Sequence, residues 1–423
     1  MTADSHSTSG PSGTGRPIRI GFIPLVDCAV LVAAAEKGFA RAAGLDLILQ
    51  REVSWANIRD KVNVGMLDCA HMLAGMPIAS SLGIGHVRVP MLAPMALGLG
   101  GNAIAVSSAL WRAMADAGAD PAARPADMGR ALRQVVEDRA RAGEEPLTFA
   151  MVFPFSSHNY ELRYWLASAG IHPDRDVRLV VIPPPLMVES LRAGQIQGFC
   201  AGSPWPGLAA EAGLGCIVAS KAEIWQRSPE KVLGVPETWA ADNEVTLLSL
   251  IRVLNRAAAW ADDPANRAEL AALLSRPEYV GVDAALILRA LSGRLRSGHG
   301  EAVRAVEDFF VFHRDSANFP WRSHALWFYS QMVRWGQITP SPEAEAVAKD
   351  VYRPDLYRRA LAADGVAMPA ADAKLEGGLE RSTPVSSPTG RLFLGPDRFF
   401  DGRTFDPDDI AGYLADFEIA STG

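Results

Sequence analysis

IRIGFIPLVDCAVLVAAAEKGFARAAGLDLILQREV, residues 18–53, reads as a strand, a helix and a second strand. IRIGFIP (18–24) is a short apolar run, the helix is expected from about Asp27 to Ala43, and Gly44 stops it. LDLILQREV (45–53) is the next strand, and Ser54 stands where the N-cap of a following helix is favoured. Strand–helix–strand units of this kind build parallel α/β sheets.

The alternation continues to Ser220. DCAHML (68–73) and the segment from Val89 to Val106 complete a first group. After an Ala/Arg-rich helical stretch near 121–143 a second group follows: LTFAMVFP (147–154), a helix from about Ser157 to Ala169, VRLVVIP (177–183), GFCAGSP (198–204) and CIVAS (216–220). Two groups imply two lobes with parallel-rich sheets. From about Asn243 the chain turns helical, with Leu247, Leu248, Ile251, Leu254 and Ala258 marking one apolar face. The stretch from Gly365 to Thr389, rich in Pro, Gly and Ser, is expected to be mobile or draped. The expected division is a tail over 1–17, lobe one over 18–106, lobe two over 107–235, a mostly helical return to lobe one over 236–360, and a C-terminal extension over 361–423.

Open parallel sheets bind ligands beyond the carboxyl ends of their strands. The loops in that position contain Asp27, Ser54-Trp55, Ser156-Ser157-His158 and Ser203-Pro204-Trp205, and facing lobes would bring them into one cleft.

Composition narrows the classes. The chain has 423 residues, 41 Lys+Arg against 48 Asp+Glu and a net charge of −7, too long for one ordinary core and too acidic to favour nucleic acid as a direct ligand. The four cysteines, Cys28, Cys69, Cys200 and Cys216, lie in apolar runs without a C-x-x-C pair, which suits buried hydrophobes better than disulfides or zinc. Residues 1–16 lack a basic segment followed by an apolar one and read as a disordered tail, so a cytoplasmic location is expected. The 23 uncharged residues between Arg88 and Arg112 are broken by Pro90, Pro94, Gly98, Gly100 and Gly101, which argues against a membrane span.

No nucleotide-binding loop, nucleophile elbow or H-E-x-x-H motif occurs. His158 follows a strand and lies in a helix's first turn, where free N–H groups favour an anion; the competing reading is a capping segment with a solvated histidine. Trp55 either walls a pocket or packs in the core. Lys231, in SPEKV, reads from spacing alone as a surface lysine.

SWANIRDKVNVGMLDCAHMLAGMP (54–77), FPFSSHNYELRYWLASAGI (153–171), VIPPPLMVESLRAGQIQGFCAGSPW (181–205), EIWQRSPEKV (223–232) and NFPWRSHALWFYSQMVRWG (318–336) together resemble the nitrate/bicarbonate solute-binding family of NrtA and CmpA. The resemblance implies a two-lobed type II periplasmic-binding-protein-like fold, no catalysis, no cofactor and no metal. It implies a nitrate or nitrite pocket in which Trp55, His158 and Lys231 are ligand residues. Asn102 stands where nitrate binders have glutamine, Ser156-Ser157 where the family reads Gly-Thr, and Ser203 in place of a glutamate. Within the family the chain looks like the cytoplasmic NasS-type nitrate/nitrite sensors, which implies a NasT-like ANTAR RNA-binding antiterminator as partner. The alternative is the binding component of an ABC importer. A thiamine-pyrimidine synthase shares the general fold, but the sequence shows no ligand cluster for its iron.

Overall fold

The computed structural model describes residues 16–297 and 303–420; the expected N-terminal tail falls outside them except for its last two residues. Strand β1 (Ile18–Phe22) pairs in parallel with β2 (Leu47–Arg51) and β3 (Cys69–Leu73), in the register Ile18–Leu47 and Ile20–Cys69. Between β1 and β2 the expected single helix is broken in three: a turn at Val26–Cys28, a helix Ala29–Glu36 and a short helix Phe39–Ala42. Gly38, at φ 76°, takes the left-handed conformation that ends one helix and starts the next. Ser54 caps the helix Trp55–Asn63, its hydroxyl accepting from the Asn57 N–H at 3.2 Å.

Strands β4 (Met91–Leu92) and β5 (Ala96–Gly100) stay in this first sheet, and β6 (Asn102–Ser107) opens the second. The chain crosses at Gly101, where φ is 90° and a Cβ would lie 2.1 Å from Phe310 Cε1. The second sheet runs β10 (Gly215–Ser220), β6, β9 (Gly198–Gly202), β7 (Thr148–Met151), β8 (Arg178–Val181). Its β7, β8 and β9 are parallel, and β6 is antiparallel to both neighbours. The chain then returns through β11 (Pro229–Pro236), which inserts antiparallel between β3 and β5 in the first sheet. Sheet membership therefore changes at Gly101 and just before Pro229, earlier on both crossings than the expected divisions at 106/107 and 235/236.

Each sheet has parallel strands at its heart and receives an antiparallel strand at the crossing, so two chain passages connect the sheets. The helix Glu244–Asp262 packs on Ala29–Glu36 with Leu247, Leu250, Ile251, Leu254 and Ala258 buried. Leu248, expected on that face, is half-buried because Leu250 takes its place in the stripe. The C-terminal segment is draped and pinned. Strands Thr383–Val385 and Leu392–Leu394 pair, and Phe399 stacks on Trp225 at 4.5 Å between ring centroids. Among the described residues no helix is long and apolar enough to cross a membrane; residues 89–111 form β4, β5, β6 and the start of a helix.

Candidate functional site

Where the two sheets face one another, the loops anticipated from the sequence converge on a sealed polar cluster. Asp27, Trp55, His71, Asn102, Ser157, His158, Glu161, Lys221, Ser228, Glu230 and Lys231 are all 5 % exposed or less. Buried polar groups are nearly always satisfied, and the charged members here pair with one another, with one oxygen each of Asp27 and Glu161 left without a hydrogen bond.

Lys231 is no surface lysine. Its Nζ donates to Asp27 Oδ2 at 2.5 Å and to Glu230 Oε1, and lies 5.4 Å from the centre of the Trp55 ring. Burial works against its charge, but the two carboxylates overcome that and raise its pKa. Asp27 sits in the turn after β1, and its main-chain oxygen contacts His71 Nε2 at 3.1 Å. Burial lifts the Asp27 carboxyl above its usual range.

Glu230 is the hub that spacing did not reveal. Besides Lys231, it accepts from Asn102 Nδ2 at 2.7 Å, from Ser157 Oγ and from Lys221 Nζ. Asn102, Ser157 and Lys221 belong to the second lobe and Glu230 to the first, so this carboxylate draws the lobes together. Burial opposes its ionisation, yet Lys221 and Lys231 hold it well below the ordinary value. A sequence reader expects neighbours on a strand to face opposite sides. The β11–β5 register slips on either side of Lys231, and both charged groups end up in the same cluster.

Glu161 was also missed. Its Oε1 accepts from Lys221 Nζ at 2.8 Å and from Ser228 Oγ at 3.1 Å, while Oε2 is buried with no partner. Burial, only partly offset by Lys221, pushes its pKa up to about 7. Lys221, the first residue of a short helix after β10, also donates to the Pro229 carbonyl at 2.8 Å.

The remaining sequence candidates divide into two kinds. Trp55 is buried in the first turn of its helix with its indole N–H unpartnered, and His158 is buried with neither ring nitrogen bonded. His158 Nδ1 stands 3.6 Å from Glu230 Oε1, and burial with the nearby lysines lowers its pKa to about 3, so it is neutral. Ser157 bonds Glu230, whereas the hydroxyl of Ser156 is committed to its helix, accepting from the Asn159 N–H at 3.0 Å and donating to the Phe153 carbonyl at 2.6 Å. The Ser156 side chain caps its helix, and the one proton of its hydroxyl is used within that turn. Ser203 is buried and joins the lobes through its backbone, its carbonyl accepting from the Val26 N–H at 2.9 Å.

A set of unpartnered N–H groups beside an ammonium, in a dry cleft with aromatic walls, suits a small planar anion. Lys231 has three N–H donors and spends two on carboxylates, leaving one for a ligand.

Comparisons with known proteins show what the chain is similar to. The model of the NMT1-like family matches residues 13–275. The nitrate/nitrite binding protein NrtA of Synechococcus elongatus is 32% identical over 98% of this chain and 90% of its own length. The nitrate import ATP-binding protein NrtC of Synechocystis is 36% identical over 95% of this chain, but the chain spans only 55% of that protein. Among solved structures, the periplasmic nitrate-binding protein NrtA from Synechocystis superposes with a TM-score of 0.83 at 27% identity, covering 95% of this chain and 98% of that one.

Proposed function

Because the chain belongs to the NMT1-like family, with the NrtA-type solute-binding proteins as relatives and their two-lobed fold, we propose that it binds nitrate, nitrite or a related oxyanion between its sheets. It acts as a solute-binding protein and not as an enzyme. The observation that carries the reading is a buried Lys231 ammonium 5.4 Å from the centre of the Trp55 ring, in one cluster with a Trp55 indole N–H and a His158 ring that have no hydrogen-bond partner. Asn102 and Ser157 take part through Glu230, which they hold in place.

The magnitudes suffice. A charge-assisted hydrogen bond contributes about 1.5–3 kcal/mol net. Three of them contribute about 4.5–9 kcal/mol, a range that includes the roughly 8 kcal/mol of a micromolar affinity. Calorimetric titration of the full chain with nitrate, nitrite, bicarbonate and sulfate tests the reading, and heats from none of them would refute it.

The relatives' names favour delivery of the bound anion to an ABC importer as the physiological role. A second reading, a cytoplasmic sensor controlling an ANTAR-type RNA-binding antiterminator, is supported by the resemblance of the quoted motifs to NasS-type proteins. Fractionation decides between them: mature chain outside the inner membrane supports import, and chain confined to the cytoplasm supports sensing.

A further inference from the structure

Charge counts at this site. Three carboxylates, Asp27, Glu161 and Glu230, share the cluster with two ammonium groups, Lys221 and Lys231, all nearly or fully buried. With the histidines neutral and every carboxylate ionised, the cluster carries one net negative charge. A monovalent anion would make it two, in a place from which water is excluded, and uncompensated buried charge is costly.

One carboxylate is placed to remove the excess. Glu230 is bonded at both oxygens, and Asp27 shares Lys231 with it at 2.5 Å and turns its other oxygen, which makes no hydrogen bond, toward His71 Nε2 at 3.5 Å. Glu161 shares Lys221 with Glu230 and has Oε2 buried without a donor. The groups facing it are Lys221 from the short helix after β10, Ser228 and Glu230 at and before β11, and the Cys200 thiol of β9. His158 lies one turn back on its own helix. Nothing there except Lys221 stabilises the Glu161 charge strongly, in keeping with its pKa of about 7.

We infer that the site takes its anion together with one proton, held on Glu161. This rests on the oxyanion reading above and adds to it the species taken up. Above about pH 7 the free protein has Glu161 ionised, so binding must draw a proton in, and Kd rises about tenfold per pH unit. Below about pH 6 the proton is already present, and Kd is flat.

Potassium nitrate is titrated calorimetrically into the full chain at about pH 8 in HEPES and in Tris, whose ionisation enthalpies differ, and at about pH 5.5 in two further buffers. Close to one proton taken up per nitrate at the higher pH and almost none at the lower is the expected result. In Glu161→Gln uptake falls to near zero at both, with a pH-independent Kd. Nitrate binding without proton uptake by the wild type at the higher pH overturns the inference, as does undiminished uptake in Glu161→Gln. Absence of nitrate and nitrite binding at every pH overturns the oxyanion reading itself, and is a separate outcome.

Discussion

Asn102 donates its side-chain N–H to Glu230 at 2.7 Å, joining the first strand segment of the second lobe to the returning strand of the first. The bond crosses the cleft, so it exists only when the lobes are together. Asn102→Asp would set a carboxylate against the buried Glu230, and like charges at this distance repel strongly in a dry interior. The variant is expected to open, with a larger radius of gyration by small-angle X-ray scattering and at least tenfold weaker nitrate binding. A wild-type scattering profile and wild-type affinity would show that this bond does not hold the cleft.

Lys231 and His158 should fail differently. Lys231→Ala leaves Asp27 and Glu230 facing each other across a buried gap, and breaking a buried ion pair from one side costs about 3–5 kcal/mol. Urea denaturation should register that loss, along with loss of anion binding. His158→Ala strands no charge and removes one donor, so it costs only the cavity left by the ring, less than Lys231→Ala, while nitrate affinity falls by about 1.5–3 kcal/mol, roughly 10- to 150-fold by calorimetry. Wild-type affinity in both variants would place the ligand elsewhere.

Much of the scaffold was legible before the structure. The apolar run at 18–24, the Ser54 cap and the loops carrying Asp27, Trp55 and His158 follow from local chemistry: period, capping and strand ends. What stayed hidden depends on register and on partners far away in the chain. Glu230 and Lys231 look like opposite faces of one strand until the slipped pairing with β5 is seen. Glu161 looks like one solvated position among helical neighbours. Yet Tyr160, Leu162, Trp165 and Leu166 surround that helix with apolar side chains, and it is buried on nearly every side. A charge in such a helix needs a partner, and Lys221 is brought to it only by the sheet order. Gly101 as the crossing point was equally invisible, since the glycine's reason is the Phe310 ring packed against it.

The C-terminal segment predicts an acid transition. Lys374 bonds Glu376 and, at 2.5 Å, Asp397, while Ser323 donates to Glu376 at 2.6 Å. Burial opposes the Glu376 charge, but Lys374 and His324 outweigh it and hold the pKa near about 2. A depressed carboxylate contributes stability that is complete above its unfolded value, near about 4.3, and is lost as pH falls through the folded one. Unfolding free energy should therefore drop between about pH 4.5 and pH 2, and Glu376→Gln should flatten that slope and lower stability at neutral pH. Urea midpoints across the range measure it; identical slopes in both proteins would refute it.

If the protein acts as a sensor, its partner must distinguish open from closed lobes. A ligand shifts an equilibrium only by its differential affinity for the two states. An anion held by Trp55, His158 and Lys231 favours the closed cleft, in which Glu230 already gathers Asn102, Ser157 and Lys221 from the facing lobe. A regulator that grips the open form is then released by nitrate or nitrite. Reciprocity requires the regulator to weaken anion binding by the same factor, and couplings of about 1–3 kcal/mol, roughly 5- to 150-fold, are usual. Asn102→Asp, built to open the cleft without anion, should hold the regulator more tightly and release it less readily. The check is co-purification with an ANTAR-type RNA-binding protein, with and without millimolar nitrate and nitrite, for wild type and variant. Association that is equally strong under every condition would rule out the coupling and leave import as the role.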